Sequence, residues 1–493
     1  MSKIKYFLFL LCLCLCQKVS IAEEQSSNWL NKKLLKLEVL SNEDQNSPIA
    51  TNNQVVSSIA LGELVEEKIN LPYYYWSWSK TEDLTSKIEQ LKSTTNPITR
   101  ELIIAVLTSE MPINLMEPKE AKLYVTRLNK LLEFGQYNEA QNFINNHDSE
   151  LKFSFNQQYT LNIIRGNDTL ACSQLKIKKN LDITLKQKIY CLIYEKKFAE
   201  AQIIFETGKL FETISNDDKN IIEILLSYDT SENIEINNFK NKLEVIDYII
   251  LRKKQIVIPL NDTPTPLMFY DLSQALSHDK KLNLLEELNK RGIILNNKLF
   301  PIYLENSPSS NIETEKRKKC IVELEMSIEI YDSKLVRKNL TKCLTLFEKI
   351  GLSYSFSENY QESALVEVKN GWETPTSIKM RLLTKEYSKL FGNFNASSNF
   401  QSAQSIARNE FIKLNNISRL EQNIVDAFRQ PNLDKEYSKK IDQGKIGEVI
   451  ISSIINLTDT NLNQNQKGLM GLIQAGLEDT AKDIAINYLL TRK

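Results

Sequence analysis

The sequence predicts an all-α protein, on three observations. Only 13 glycines and 12 prolines punctuate 493 residues, which disfavours a β fold with many tight turns. Apolar residues recur at helical spacing in segment after segment. From residue 117 onward the helical segments come in pairs joined by short turns. Because the chain is too long for one compact core, we expect several domains or an elongated repeat array.

The first 22 residues are typical of a secretory signal peptide. Lys3 and Lys5 precede an apolar run at 6–16, and small residues follow before the acidic pair that begins at Glu23. The run has about eleven residues, too few to span ~30 Å of hydrocarbon as a helix. These features predict export to the periplasm, and no later stretch is apolar enough to predict a transmembrane segment.

Cleavage is expected between Ala22 and Glu23, because Ser20 and Ala22 supply the small residues that signal peptidase requires. Attachment of a lipid at Cys14 or Cys16, giving an outer-membrane lipoprotein, is the alternative. Both cysteines follow leucine instead of a small residue, which disfavours that alternative.

The charges are balanced and interspersed, with 62 basic and 62 acidic side chains. A chain of this kind has no overall electrostatic preference for nucleic acid or an anionic membrane. The most basic short run, EKRKK at 315–319, is interpreted as a solvated helix face.

Composition predicts five segments along the chain. Three prolines occur at 256–266, and a polar stretch without periodicity occupies 41–54. A second irregular stretch is expected at 351–363. The segments are a signal peptide (1–22), an N-terminal arm (23–95), a first helical array (96–255), a Pro-rich linker (256–266) and a second helical array (267–493).

An aromatic segment, LPYYYWSWS at 71–79, ends the N-terminal arm. Its rings could stack on sugars or anchor a partner. Docking of the arm onto the first array is favoured instead, because large aromatic side chains usually become buried. Ser79 and Glu82 then predict a capping box, and Pro97 predicts the next helix start. The aromatic residues are Tyr73, Tyr74, Tyr75, Trp76 and Trp78.

Two helical hairpins align at an offset of 61 residues, LLEFGQYNEAQNFI (131–144) and LIYEKKFAEAQIIF (192–205). The alanines are expected to let the helices approach, and the aromatic residues to fill the wedge beside the turn. A looser copy occurs at 472–490. The residues that define this packing are Gly135, Tyr137 and Ala140 in the first hairpin, Phe198 and Ala201 in the second, and Gly476 and Ala481 in the third.

This glycine, aromatic and alanine pattern resembles the tetratricopeptide repeat, which implies a degenerate helical-hairpin solenoid built as two arrays. The chain also resembles poorly characterised exported helical-repeat proteins of Gram-negative bacteria. That resemblance implies a protein of the cell envelope, and it brings no known catalytic residues.

Outside the signal peptide the chain has four cysteines, Cys172, Cys191, Cys320 and Cys343. In an antiparallel hairpin, residues equally distant from the turn face each other. The mean of their residue numbers therefore gives the position of the turn. For Cys172 and Cys191 the mean is 181.5, among helix-ending and capping residues, and for Cys320 and Cys343 it is 331.5, at Tyr331 and Asp332. The sequence therefore predicts two disulfides, each within one hairpin.

Other roles for the cysteines are weaker hypotheses. No C-x-x-C pair is present, and the only histidines, His147 and His278, are far from the cysteines in sequence. Zinc binding and a histidine-activated thiolate are therefore disfavoured. Buried free thiols remain the alternative to disulfides. We expect no metal and no cofactor.

Motifs for catalysis are absent, with one faint exception. QESALVE (361–367) and GLMGLIQ (468–474) are similar to the glutamate and G-L-M-Q motifs of lytic transglycosylases, whose single glutamate would be Glu362 here. About a hundred residues separate the two, where the family has them close together. We therefore expect a non-catalytic scaffold or adaptor that holds an envelope protein or a peptidoglycan-associated polymer on a concave face, with a peptidoglycan-cleaving enzyme as the alternative.

Overall fold

The structure is a computed structural model of the full chain. It describes residues 69–72, 75–110, 118–147, 155–177, 183–227, 244–256, 265–272, 276–293, 296–305, 309–364, 374–385, 387, 400–411, 414, 417–431, 434–459 and 461–491. The chain divides into two units, Met1–Gln54 and Val55–Lys493, and every described residue belongs to the second. The predicted signal peptide and the polar stretch at 41–54 lie outside the described residues.

The described residues contain helices and no strand, so the all-α prediction is confirmed. In chain order the helices are α1 (Thr81–Glu89), α2 (Pro97–Thr108), α3 (Pro118–Glu133), α4 (Tyr137–His147), α5 (Phe155–Ile164), α6 (Asp168–Ile177), α7 (Leu185–Tyr194), α8 (Phe198–Leu210), α9 (Asn216–Leu226), α10 (Val245–Lys253), α11 (Thr265–Leu272), α12 (His278–Lys290), α13 (Asn296–Leu304), α14 (Ile312–Glu329), α15 (Ser333–Lys349), α16 (Ser353–Asn359), α17 (Pro375–Leu383), α18 (Gln401–Arg408), α19 (Arg419–Arg429), α20 (Lys435–Asp442), α21 (Ile446–Leu457), α22 (Leu462–Gln474) and α23 (Glu478–Thr491).

Several helix starts follow from side chains that satisfy the free backbone N–H groups of the first turn. Pro97 begins α2 as predicted, and the Asn96 side chain accepts a hydrogen bond from the Thr99 N–H at 3.0 Å. Thr184 and Gln187 form a reciprocal capping box at α7. Asp332 caps α15 by accepting from the Leu335 N–H at 3.0 Å. Two of these caps stand at the turns that the cysteine spacing indicates.

One kind of turn recurs between the helices. A residue with positive φ follows the last helical turn, and its N–H and the next N–H donate to carbonyls three and five residues back, the arrangement of a Schellman motif. At Gly135 the acceptors are Leu132 and Leu131. The turn recurs at Gly166, Lys196, Glu212, Gln255, Gly292, Tyr331, Gly351, Asn409, Gly444 and Gly476. Non-glycine residues at several of these turns explain why so few glycines suffice.

Buried apolar residues form three cores. The central core combines α1–α5 with α17–α23. The first lobe is built from α5–α11 and contains Cys172 and Cys191, and the second lobe is built from α11–α17 and contains Cys320 and Cys343. Each lobe therefore contains one of the two cysteine pairs.

The central core brings together the two ends of the described chain. Helix α1 contacts α21, and α2 contacts α21 and α23. The Lys87 ammonium donates to the Ser452 hydroxyl at 2.8 Å, and the Asn96 amide donates to the Ile484 carbonyl at 3.3 Å. The predicted division at 256–266 and the superhelical solenoid stay predictions, since helices from both proposed arrays share this core.

Three local predictions are wrong. The capping box at Ser79 does not form, because α1 begins only at Thr81 with Lys80 as its N-cap, and Glu82 pairs with Lys119 instead. The stretch 351–363 is not irregular, because α16 spans Ser353–Asn359 and the side chains of Phe356 and Tyr360 are buried.

The run EKRKK at 315–319 is the third. Arg317 and Lys318 are buried in the second lobe, because Arg317 meets a buried carboxylate on α12, so only part of this run is a solvated face.

Candidate functional site

The aromatic segment docks the N-terminal arm onto the C-terminal helices. Tyr75 and Trp76 are buried in the central core, and the Gly447 N–H donates to the Tyr75 carbonyl at 2.6 Å. A Cβ at Gly447 would lie 2.7 Å from that oxygen, so only glycine allows this approach. Trp78 is 81% exposed and lies against Gly444. Tyr73 and Tyr74 lie outside the described residues.

A buried arginine supports the docked rings. The Arg127 guanidinium lies 5.4 Å from the Trp76 ring and donates to the Leu107 carbonyl at 2.9 Å. Burial lowers the pKa of Arg127 to about 10, and burial raises the pKa of Tyr75. The Ser109 hydroxyl accepts from the Trp76 indole N–H at 3.1 Å. These contacts assign Tyr75 and Trp76 to packing, not to a ligand site.

The cysteines lie at disulfide distance in the two predicted pairs. Cys172 and Cys191 join α6 to α7, with their Cα atoms 5.3 Å apart. Cys320 and Cys343 join α14 to α15, with their Cα atoms 5.6 Å apart. All four side chains are buried. The cysteines therefore fix the spacing of neighbouring helices, and this fits an exported protein.

A polar network surrounds the first pair. The Tyr159 hydroxyl lies 3.7 Å from the Cys191 sulfur, and the Tyr190 hydroxyl donates to the Asp168 carboxylate. The Lys253 ammonium lies 2.9 Å from Asp168. Burial and the Asp168 charge raise the pKa of Tyr190 well above its usual value, so this phenol is held protonated. The Tyr190 phenol therefore links α7 to Asp168 on α6 and to Lys253 on α10. Because it stays protonated in a packed interior, it is a poor general base.

Most of the repeat residues with side chains are buried, and Phe198 is the exception. Ala140, Ala201 and Ala481 are buried, and Tyr137 lies 5.0 Å from Phe269, ring centre to ring centre. Phe198 does not fill a wedge, because it is 44% exposed. The two side chains differ because α11, a helix outside the hairpin, covers Tyr137.

The other candidate catalytic groups do not meet in a cleft. Glu362 is exposed. Gly468 and Gly471 lie in α22 against the Ser453 backbone and the Tyr437 ring, which gives these glycines a packing role. His278 pairs with Glu305 at 3.2 Å, and His147 ends α4. In the described ranges no three His, Cys, Asp or Glu side chains are grouped to hold a metal ion.

Two cavities share a wall at Ser93–Thr95, and the second of them lies between the N-terminal and the C-terminal helices of the described chain. The first, about 390 Å³, is lined by Arg100, Lys290 and Glu287 among others, and the Arg100 guanidinium donates to the Lys290 carbonyl at 2.8 Å. The second, about 330 Å³, is lined by amide and hydroxyl side chains such as Asn465.

Exposed large hydrophobic side chains concentrate on the two lobes. Among the described residues only Trp78 lies outside the lobes, and Leu304 ends α13 of the second lobe. The first apolar surface, on α6–α8 and the turn after them, consists of Leu170, Tyr194, Phe198, Ile203, Leu210 and Phe211. The second apolar surface, on α14 and α15 and the turn between them, consists of Ile312, Val322, Met326, Ile330, Tyr331 and Leu335.

Each apolar surface includes a regular stripe along one helix. On α8, Ile203 and Leu210 are seven residues apart and share a face, with Leu210 78% exposed. On α14, Val322, Met326 and Ile330 follow at intervals of four, and Tyr331 beside them is 77% exposed. The second cysteine pair joins α14 itself to α15, and the first joins α6 to α7, the helix against which α8 packs.

The fold and these surfaces define an all-helical protein with two lobes, each of which contains one cysteine pair and one exposed apolar stripe. The chain matches no protein-family model, no curated protein and no solved structure. Within the described part of the chain, each helix falls short of the length and apolarity needed to cross a bilayer.

Proposed function

We propose that the protein is an exported, non-catalytic helical scaffold that binds a partner protein through its two apolar surfaces. The observation that carries the proposal is the concentration of exposed large hydrophobic side chains on the two cysteine-linked lobes. Contiguous exposed apolar patches on soluble domains are typical of interaction sites. Aromatic and methionine side chains such as Phe211, Tyr331 and Met326 are enriched among the residues that anchor partners.

The cysteine pairs support this proposal in two ways. They require an oxidising compartment, which agrees with the predicted signal peptide and with a periplasmic location. They also hold α14 against α15, which carry the second surface, and α6 against α7, on which α8 of the first surface packs, so each surface has a fixed support before binding. A preformed surface loses less conformational entropy on binding, which favours affinity.

Replacing Ile203 and Leu210 by aspartate should abolish partner binding without unfolding the first lobe, since both side chains are exposed. Loss of one anchor costs about 2 kcal/mol of binding free energy, roughly 30-fold in affinity. The measurement is quantitative recovery of partners from the envelope fraction on immobilised protein. Gln202→Asp, on the same helix and also exposed, is the matched control. Recovery of the same proteins by the double variant and the wild type would contradict the proposal.

A further inference from the structure

A basic groove of about 470 Å³ runs between α14 and α15 in the second lobe. Every charged side chain that lines it is a lysine, and the remaining lining residues are Thr341, Thr345 and Leu346. Two of the lysines come from each helix, so no single helix creates the charge. The lysines are Lys316, Lys319, Lys338 and Lys342.

The cysteine pair fixes the spacing of these charges. Cys320 and Cys343 lie opposite each other, and they directly follow Lys319 and Lys342 in sequence. With that register, Lys338 lies level with position 325 of α14. At 1.5 Å of rise per residue, Lys316 and Lys338 are about 13 Å apart along the groove. A single small anion cannot reach both ends, whereas a chain of anionic groups can.

Nearby carboxylates neutralise the groove only in part. Glu323 pairs with Lys342 at 2.6 Å and reaches Lys319 only at 3.9 Å. Lys316 pairs with Glu313 on the exposed surface, and such pairs contribute little. Lys338 has no ion pair among the described residues. The groove therefore keeps an excess of positive charge.

The other two cations at the centre of the run 315–319, Arg317 and Lys318, do not line the groove. Arg317 is buried and paired with Glu286, and Lys318 lies 3.1 Å from the His278 ring nitrogen. The run at 315–319 thus splits into buried cations that hold the lobe together and exposed cations in the groove.

We propose that this groove binds a linear polymer that carries phosphate groups. A lysine ammonium is a point charge that suits phosphate, whereas paired recognition of carboxylate favours arginine, and no arginine lines the groove. The Thr341 and Thr345 hydroxyls already donate to the Arg337 and Thr341 carbonyls at 3.1 and 2.9 Å, so the four lysines supply the recognition of phosphate. The groove shares no residue with the second apolar surface, so its test does not depend on the proposed binding of a partner protein.

The test measures binding of the full chain to inorganic polyphosphate at about 50 mM salt. We expect Lys319→Glu with Lys338→Glu to lower affinity by roughly tenfold or more and to flatten its salt dependence, because fewer counterions are released. The matched control is Lys188→Glu with Lys280→Glu, which makes the same charge change at exposed lysines elsewhere. Circular dichroism should show equal helix content in both variants.

Three results would overturn the assignment. Wild-type protein that binds neither polyphosphate nor phosphatidylglycerol vesicles excludes the site, and equal losses of affinity in both double variants reduce the effect to net charge. Binding to vesicles of phosphatidylglycerol without binding to polyphosphate would make the ligand a membrane surface. Binding to polyphosphate that the groove variant alone loses supports the proposal, whatever the outcome for Ile203 and Leu210.

Discussion

Replacing Arg317 by methionine should lower the free energy of unfolding by about 3–5 kcal/mol, the usual cost of leaving one partner of a buried ion pair alone. The Arg317 guanidinium makes hydrogen bonds of 2.7 and 2.9 Å to one Glu286 oxygen, and the Tyr303 hydroxyl donates to the same oxygen at 2.5 Å. Burial alone would lower the pKa of Arg317, but Glu286 and Tyr303 together outweigh burial and raise that pKa. Without Arg317 the buried carboxylate keeps only the phenol.

The measurement is the urea midpoint of the single variant and of the double variant Glu286→Leu with Arg317→Met. The double variant should recover most of the loss, because it leaves no buried charge unpaired. Lys319→Met is the control, since this lysine is exposed and its nearest carboxylate is 3.9 Å away. Equal stability of Arg317→Met and the wild type would show that the two side chains are not buried together.

Replacing Cys172 and Cys191 by alanine should lower stability by about 3 kcal/mol, the chain-entropy estimate for a loop of roughly twenty residues. Cys320→Ala with Cys343→Ala should lose a similar amount, since its sequence separation of 23 residues is close to the 19 of the first pair. Reduction of the wild type should shift its urea midpoint in the same direction.

A peptide map of unreduced protein from its native compartment checks the pairing itself. We expect one peptide that joins Cys172 to Cys191 and another that joins Cys320 to Cys343. Free thiols at these positions, or a urea midpoint that reduction leaves unchanged, would contradict the pairing.

The sequence predicts well where local chemistry decides the structure. The turn near 331.5 could be located because Asp332 is a strong N-cap and the two helices beside it are of similar length. Pro97 marked its helix for the same local reason. The hairpin at Gly166 was missed although Ala171 is buried, because no aromatic residue follows its turn. Lys196 and Tyr331 adopt positive φ without any glycine signal.

Predictions failed where a distant element decides the environment. Phe198 and Tyr137 hold equivalent positions in their hairpins, but only Tyr137 is covered by α11. Ile203 and Leu210 could not be recognised as surface residues, because α8 has apolar residues on more than one face and such helices usually pack on all sides. The contact of the aromatic segment with Gly447 joins residues far apart in sequence, which no local pattern indicates.

Site-specific photo-crosslinking in the native compartment tests the central claim most directly, namely that the two lobes hold a partner protein. A photoreactive amino acid at Ile203 or at Met326 should crosslink to a discrete protein, and the same residue at exposed Lys188 should not. Partner adducts should form from both apolar surfaces and should disappear when aspartate replaces the neighbouring Leu210 or Ile330. Crosslinking from Lys188 alone, or no protein adduct from either surface, would contradict it.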